Sequence, residues 1–384
     1  MAKPVRFGIA GIGNEGRQIA PYFDLEPSVE LTAAADVRPE ALDSFREDYP
    51  QAKPFQSVEA MCESGDVDAI WVATPNPYHA EHTIAAARAG VDVILEKPMA
   101  ITLDEASAMV EATEKAGTRL LLHSHASDSP VVTMRDVIVS GRLGRLIGIH
   151  AWSYKAWLRS PRLPAEVDTS RGGGVVFRQG PHQIEIVRRI GGGLVGSVRA
   201  YTGRWHPAFQ TEGDYTAMLE FADGTPATMV FNGYGYFNIT DLTWGVTESG
   251  FVSSGGYKKQ VTQTAPIDPA VFYTKPRLER PKLDRERKQP IYGLAIASCE
   301  GGDLRQSPDG VFVYTDEGCE EIVCPPYRDR ATDLKEMADA INEGRGVFPD
   351  GRWGLATLEV ILAILQSARE RREIVLSHQV AAPA

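Results

Sequence analysis

The stretch Val5-Arg6-Phe7-Gly8-Ile9-Ala10-Gly11-Ile12-Gly13-Asn14-Glu15-Gly16-Arg17-Gln18-Ile19-Ala20 decides the fold. Val5 to Ala10 reads as a short buried strand, and Arg17 to Ala20 begins a helical run. The residues between them spell G-x-G-x-x-G in the strand-turn-helix context that gives this motif its meaning. Gly11 permits a tight turn, Gly13 lets backbone amides approach a pyrophosphate, and Gly16 lets the helix pack closely on the strand. Gly11, Gly13, Asn14, Glu15 and Gly16 are therefore candidate cofactor residues.

Working outward, the next strand, Val29 to Ala35, ends in Asp36, about twenty residues beyond the glycines, where an acid accepts the adenosine ribose hydroxyls and favours NAD. Arg38, two residues on, could instead pair with the 2′-phosphate of NADP, so NADP stays open. Strand and helix keep alternating. Ala69 to Ala73 leads into Thr74-Pro75-Asn76-Pro77-Tyr78-His79, a helix runs from Ala80 to Ala89, and Val91 to Leu95 delivers Glu96-Lys97-Pro98. A helix from Leu103 to Ala116, closed by Gly117, and a strand, Arg119 to Leu122, complete the rhythm. It predicts an α/β fold whose first domain, residues 1–125, is a doubly wound parallel sheet. Ligands of such sheets bind at the carboxyl ends of the strands, where the Gly11 turn, Asp36, Thr74 to His79 and Glu96-Lys97 all fall.

Beyond Leu122 the texture changes to aromatic, alternating strands: Ile147 to Tyr154, Val198 to Thr202, Tyr215 to Phe221, Ala227 to Asn232 and Val311 to Tyr314. These predict a second, α+β domain, residues 126–384, on a large open and mostly antiparallel sheet, with terminal helices that could pack back on the first domain. Gly172-Gly173-Gly174-Val175-Val176-Phe177-Arg178-Gln179-Gly180-Pro181-His182 precedes a helical Ile186 to Ile190, which puts His182 near a helix start. Asp333 to Glu343 and Trp353 to Arg371 read as helices. Leu355, Leu358, Leu362 and Leu365 form an apolar stripe on the second. His123 and His125 alternate on a strand end and so point to one side, with no clear third metal ligand; no metal is expected.

The 384 residues are 43% hydrophobic and 24% charged with a net charge of -11. That balance argues against nucleic acid or an anionic membrane as partner. The basic, proline-rich run Thr274 to Pro290 reads as a solvated loop rather than a nucleic-acid contact. Cys62, Cys299, Cys319 and Cys324 form no CxxC pair, and neither a signal peptide nor a bilayer-length apolar run is visible. A cytoplasmic protein with reduced thiols is expected.

Three signatures in this order, the glycine turn, Glu96-Lys97-Pro98, and the triple glycine ending at His182, resemble the glucose-fructose oxidoreductase / inositol dehydrogenase / MocA family along nearly the whole chain. The resemblance implies that Lys97 lies beside the nicotinamide and the substrate hydroxyl, and that His182 serves as acid/base, with the base left open between them. Glu96 would hold the strand end, while Thr74, Pro75, Asn76 and His79 would line the cofactor. Relatives acting on sugars usually carry Asp four residues before this His, and here the position is Arg178. A guanidinium fork matches a carboxylate, which points to an anionic substrate. The wording around Arg178, with Leu304 to Gly310 and Asp350 to Glu359, is similar to the phthalate 4,5-cis-dihydrodiol dehydrogenase branch. The resemblance implies hydride transfer from a carboxylated aromatic cis-dihydrodiol to NAD, giving a catechol. Arg178, and with it Lys155, Arg159 and His125, would meet the substrate. Oxidation of a sugar, sugar acid or inositol and a non-catalytic NAD(H) sensor are the alternatives, and a homodimer or homotetramer is expected.

Overall fold

The computed structural model describes residues 3–160, 162–207, 209–253 and 286–383. It divides into two compact units. One holds the described residues through His123 and the segment Arg328–Leu358; the other holds those from Ser124 to Tyr327 and from Glu359 onward.

In the first unit the order is β1 (Val5–Ala10), α1 (Asn14–Ile19), β2 (Val29–Ala35), α2 (Pro39–Asp48), β3 (Lys53–Phe55), α3 (Val58–Glu63), β4 (Ala69–Val72), α4 (His79–Arg88), β5 (Asp92–Leu95), α5 (Leu103–Ala116) and β6 (Leu120–Leu122). The strands pair in parallel in the order β3-β2-β1-β4-β5-β6. Crossing from β1 back over to β4 creates a switch point, the crevice where doubly wound sheets bind dinucleotides. β4 and β5 are buried at every position, as strands covered on both faces must be. α5 shows how locally its ends are set. Thr102 Oγ1 accepts the Glu105 N–H, Glu105 Oε2 accepts the Thr102 N–H, and Gly117 closes the helix at φ 71°.

The second unit contains α6 (Ser129–Val139), β7 (Leu146–Tyr154), α7 (Gly174–Gly191), β8 (Val195–Gly203), β9 (Asp214–Phe221), β10 (Pro226–Asn232), β11 (Leu294–Cys299), β12 (Gly302–Gln306), β13 (Gly310–Thr315) and β14 (Gly318–Val323). After α8 (Arg330–Glu343) and α9 (Gly351–Glu370), β15 (Ile374–Val375) joins its sheet. Among the described residues the sheet runs β14-β13-β12-β11-β7-β10-β9-β8-β15, antiparallel except between β7 and β10. α6 and α7 cover one face. Along β9, buried Tyr215, Ala217, Leu219 and Phe221 alternate with exposed Thr216, Met218 and Glu220, the period-two signature of a sheet with one open face.

Two sequence expectations change. α7 begins at Gly174, so His182 sits in mid-helix with Pro181 inside the same helix. The glycines and proline look like breakers, but burial along most of the helix outweighs their poor propensity. On α9, Leu355 and Leu358 are buried while Leu362 and Leu365 are half-buried, because Trp353, Ala356, Val360, Ile361 and Ile364 widen the apolar face. α8 belongs to the first unit, where Leu334, Met337 and Ala338 share a core with Phe7, Ile9 and Trp71. Truncating Leu334 to Ala there costs about 2–5 kcal/mol. Thr274 to Pro290 lies outside the described residues apart from 286–290.

Candidate active site

The first unit presents a cofactor cradle. Gly11 adopts φ +87°, and a Cβ on Gly16 would stand 2.1 Å from the Gly11 carbonyl oxygen, so both glycines are required by shape. A Cβ on Gly13 would meet nothing within 4 Å, which leaves the middle of the turn open for a ligand. The Ile12 N–H donates to Asp36 Oδ2 at 3.1 Å, fixing the acid beside the turn. Arg38 forks onto the same carboxylate, with Nε 2.9 Å from Oδ1 and a terminal nitrogen 2.9 Å from Oδ2. These features fit a dinucleotide.

After β4, Thr74 and Asn76 are partly exposed and Pro75 is exposed. His79 differs from its expected place along the cofactor. It is 1% exposed, and its Nε2 and Nδ1 face the carbonyl oxygens of Thr74 and Pro98 at 2.8 and 2.9 Å. Carbonyl oxygens only accept, so the ring meets both when it carries both protons. It thereby braces the loop after β4 against the turn after β5. The neighbouring Lys97 is half-buried, and the Lys97–Pro98 peptide is cis.

Glu96 is buried in a network the sequence did not announce. His123 Nδ1 lies 2.6 Å from Asp333 Oδ2, and Arg330 spans from Glu15 at 2.9 Å to Glu96 at 3.9 Å. Burial alone would protonate Glu96, but His123, Arg330 and Lys97 hold it below the usual carboxylate range. Burial would likewise discharge His123, yet the carboxylates of Glu96 and Asp333 push its pKa up to about 9. Glu15 and Glu96, from the cofactor turn and the strand end, are thus tied together by an arginine more than 200 residues away in sequence. No local pattern could have revealed α8 as their partner.

In the second unit, α7 is buried from Gly174 to Ile190 except at Arg178, Gln179 and His182. Arg178 and His182 are four residues apart, so they share one face about 6 Å apart along the axis. The ring of His182 lies 4.9 Å from that of His125 and 4.8 Å from that of Tyr292. His125 Nδ1 donates to Asp128 Oδ2 at 2.5 Å, and the Tyr292 O–H donates to Gln179 Oε1 at 2.9 Å. Burial pushes the Tyr292 pKa well above its ordinary value and keeps this donor protonated. His123 and His125 do not point to one side as their alternation suggested. The strand ends at Leu122, and each imidazole then turns to its own aspartate, Asp333 or Asp128.

The cations expected beside Arg178 are placed differently from one another. Lys155 pairs with Glu248 and lies 4.0 Å over the Tyr292 ring, whereas Arg159 Nε donates to the Tyr234 carbonyl at 2.8 Å and stacks on Tyr236. Arg178 stands 3.5 Å from Glu166, which Arg162 also approaches, at 3.7 Å. The sequence signal for this pair is the triple glycine itself. A Cβ on Gly173 would come 2.4 Å from the Ala165 carbonyl, and one on Gly174 2.1 Å from Glu212. Gly173 thus lets the turn carrying Glu166 lie against the start of α7, while Gly174 makes room for Glu212.

Among the described residues no helix is long and apolar enough to cross a membrane. Residues 5–124 match a model described as an oxidoreductase family with an NAD-binding Rossmann fold, and residues 131–239 match the GFO/IDH/MocA C-terminal domain. A 1-carboxy-3-chloro-3,4-dihydroxycyclohexa-1,5-diene dehydrogenase of Comamonas testosteroni is 31% identical over 95% of both chains. The inositol 2-dehydrogenase of Rhizobium meliloti is 23% identical over 96% of this chain and 98% of its own. A solved structure from Bordetella bronchiseptica RB50, described as a dehydrogenase, superposes with a TM-score of 0.88 at 34% identity, covering 97% of this chain and 100% of the other. The chain belongs to the GFO/IDH/MocA family of NAD-binding oxidoreductases.

Proposed function

We propose that the protein oxidises a carboxylated aromatic cis-dihydrodiol, of benzoate or phthalate type, to the corresponding catechol. The observation that carries this reading is the opening of α7, buried from Gly174 to Ile190, at Arg178, Gln179 and His182 alone. A carboxylate-binding fork and an acid/base sit on one helix face, separated by about one helical turn. That spacing suits a six-membered ring with a carboxylate at one end and hydroxyls at the other. The Comamonas testosteroni relative, named for a carboxylated dihydroxycyclohexadiene, points the same way.

In this reading Arg178 anchors the carboxylate. Lys97 hydrogen-bonds the reacting hydroxyl oxygen, and His182 receives its proton as the carbinol C–H bond breaks. NAD, when bound, supplies the acceptor for the hydride. The hydroxy-enone product then tautomerises to the catechol, and aromatisation makes the oxidation downhill. His125, oriented by Asp128, stands beside His182 where the substrate ring would lie. Glu96, held ionised, keeps Lys97 beside a negative charge, which favours its ammonium form as a hydrogen-bond donor. The exposed apolar residues Ile147, Trp152, Met218 and Tyr314 on the large sheet support a homo-oligomer, which light scattering of wild type and Met218→Glu would test.

A substrate panel run in parallel with NAD and NADP tests the activity. NADH formation from a carboxylated cis-dihydrodiol, well above that from inositol, uronates or pyranoses, is the expected result. Preference for a sugar or sugar acid, or cofactor binding with no turnover of any diol, overturns it.

A further inference from the structure

We propose that Gln179 is the specificity residue for the second hydroxyl of the substrate, donating a side-chain N–H to the oxygen that is not oxidised. This rests on the reading of the substrate as a cis-diol and says how the neighbouring hydroxyl is recognised. α7 opens at Arg178, Gln179 and His182. With 3.6 residues per turn, His182 stands about 40° and Gln179 about 100° around the helix from Arg178. His182 therefore lies between the guanidinium and the amide. With the reacting hydroxyl at His182 and the carboxylate toward Arg178, the remaining polar group on that face is Gln179.

The amide is fixed from two sides. Its Nε2 donates to the Arg178 carbonyl at 3.1 Å, while the Tyr292 O–H donates to its Oε1 at 2.9 Å and lies 3.1 Å from its main-chain oxygen. A carbonyl only accepts, so the turned-over amide would set two oxygens against each other. Burial keeps Tyr292 protonated, which makes its donation to Oε1 constant. Tyr292 is itself buried and packs on His125 and His182, with ring centroids 5.5 and 4.8 Å away. One ring thus holds both the amide and the acid/base. A primary amide carries two N–H donors. The first goes to Arg178, and the second has no acceptor among the described residues. Gln179 is only half-buried, so that second N–H can meet a ligand on the open face. A hydroxyl oxygen accepts it, whereas a ring C–H at the same place leaves it unpaired and desolvated, which costs binding energy. The site thus favours a vicinal diol over the corresponding monoalcohol.

The test titrates the NADH-saturated protein with 3,4-dihydroxybenzoate, 3-hydroxybenzoate and 4-hydroxybenzoate, following NADH fluorescence, in wild type, Gln179→Leu and Gln179→Glu. One monohydroxybenzoate keeps only the oxygen that meets Gln179, and the other keeps only the oxygen that meets His182. Gln179→Leu should weaken the dihydroxy compound and one monohydroxy compound about tenfold, and leave the other within about twofold of wild type. Gln179→Glu, which keeps an oxygen for the Tyr292 O–H but loses the donor, should show the same selectivity of loss. Tyr292→Phe frees the amide to turn and should give part of the effect on the same two ligands. Equal weakening of all three ligands, or of none, by both Gln179 variants overturns the proposal. Turnover of a carboxylated cis-dihydrodiol by the same proteins is read alongside. A selective loss of binding with no dihydrodiol oxidised by wild type supports the role of Gln179 and fails only the assigned activity. Dihydrodiol oxidation with unselective binding losses does the reverse.

Discussion

The charges around Glu96 and those around Glu166 differ in how tightly they are held. Glu96 and Asp333 are buried, His123 and Arg330 are partly buried beside them, and His123 and Asp333 meet at 2.6 Å. Glu166, Arg162 and Arg178 remain partly exposed at 3.5 and 3.7 Å. Buried charges survive only when partnered, so the first group belongs to the fold and sets the field at Lys97. Loosely shared charges cost less to rearrange than tightly held ones. The first group ought then to fail through chemistry at its edge or through stability, and the second through substrate choice.

The sharpest way to break this contrast is at Lys97, the one member of the first region proposed to touch substrate. Lys97→Ala should lower turnover about a thousandfold while NADH binding, followed by fluorescence titration, persists. Turnover close to wild type would remove Lys97 from the chemistry. Next in size is Arg178→Met, expected to lower kcat/KM for a carboxylated diol about a hundredfold, and far less for the uncharged diol. Equal losses on the two substrates would make Arg178 a structural residue like those around Glu96.

The third effect is on stability. His123 has its pKa pushed up to about 9 in the fold, above the roughly 6.5 of an unfolded histidine. Its protonated form therefore stabilises the native state fully below about pH 6.5, less as pH rises, and not at all once pH has passed about 9. The contribution is on the order of 3 kcal/mol. Urea unfolding at pH 6 and pH 9.5 should show a loss in wild type that His123→Gln largely lacks. Equal pH dependence in both proteins would mean that His123 is not the charged partner of Glu96 and Asp333.

The two regions also differ in how far they could be read from sequence. The edge of the first sheet was legible because its signals are local: a glycine turn after β1, an acid after β2, and proline-bearing turns after β4 and β5. The ends of α5 were legible for the same reason, since a capping box and a left-handed glycine act within a few residues. Arg330 and Asp333 were not, because they reach Glu96 and His123 only through tertiary packing. α7 starts about three turns before the expected Ile186, since Gly174, Gly180 and Pro181 resemble breakers until burial is known. Arg162 and Glu166 escaped notice in a short turn without periodicity, although the glycines that seat this turn had been singled out.

The smallest effect concerns Asp36 and Arg38, where the two kinds of charge pairing meet in one place. The Asp36 carboxylate accepts the Ile12 N–H and a two-armed contact from Arg38, so both residues are engaged before any ribose arrives. The Arg38 side chain is partly exposed but the Asp36 carboxylate is nearly buried, so this pair is held more tightly than the Glu166 group. With the acid present, a 2′-phosphate would have to pull Arg38 off its partner and then sit against a carboxylate, which favours NAD. Asp36→Ser removes the repulsion and releases the guanidinium while keeping a small hydrogen-bonding side chain beside Ile12. The expected outcome is a shift of about tenfold in the NADP-to-NAD ratio of kcat/KM, roughly 1.4 kcal/mol. Adding Arg38→Ala should return most of that shift, because the phosphate then loses its cation. A ratio that ignores both substitutions would place cofactor choice elsewhere and leave Asp36 as a brace for the glycine turn.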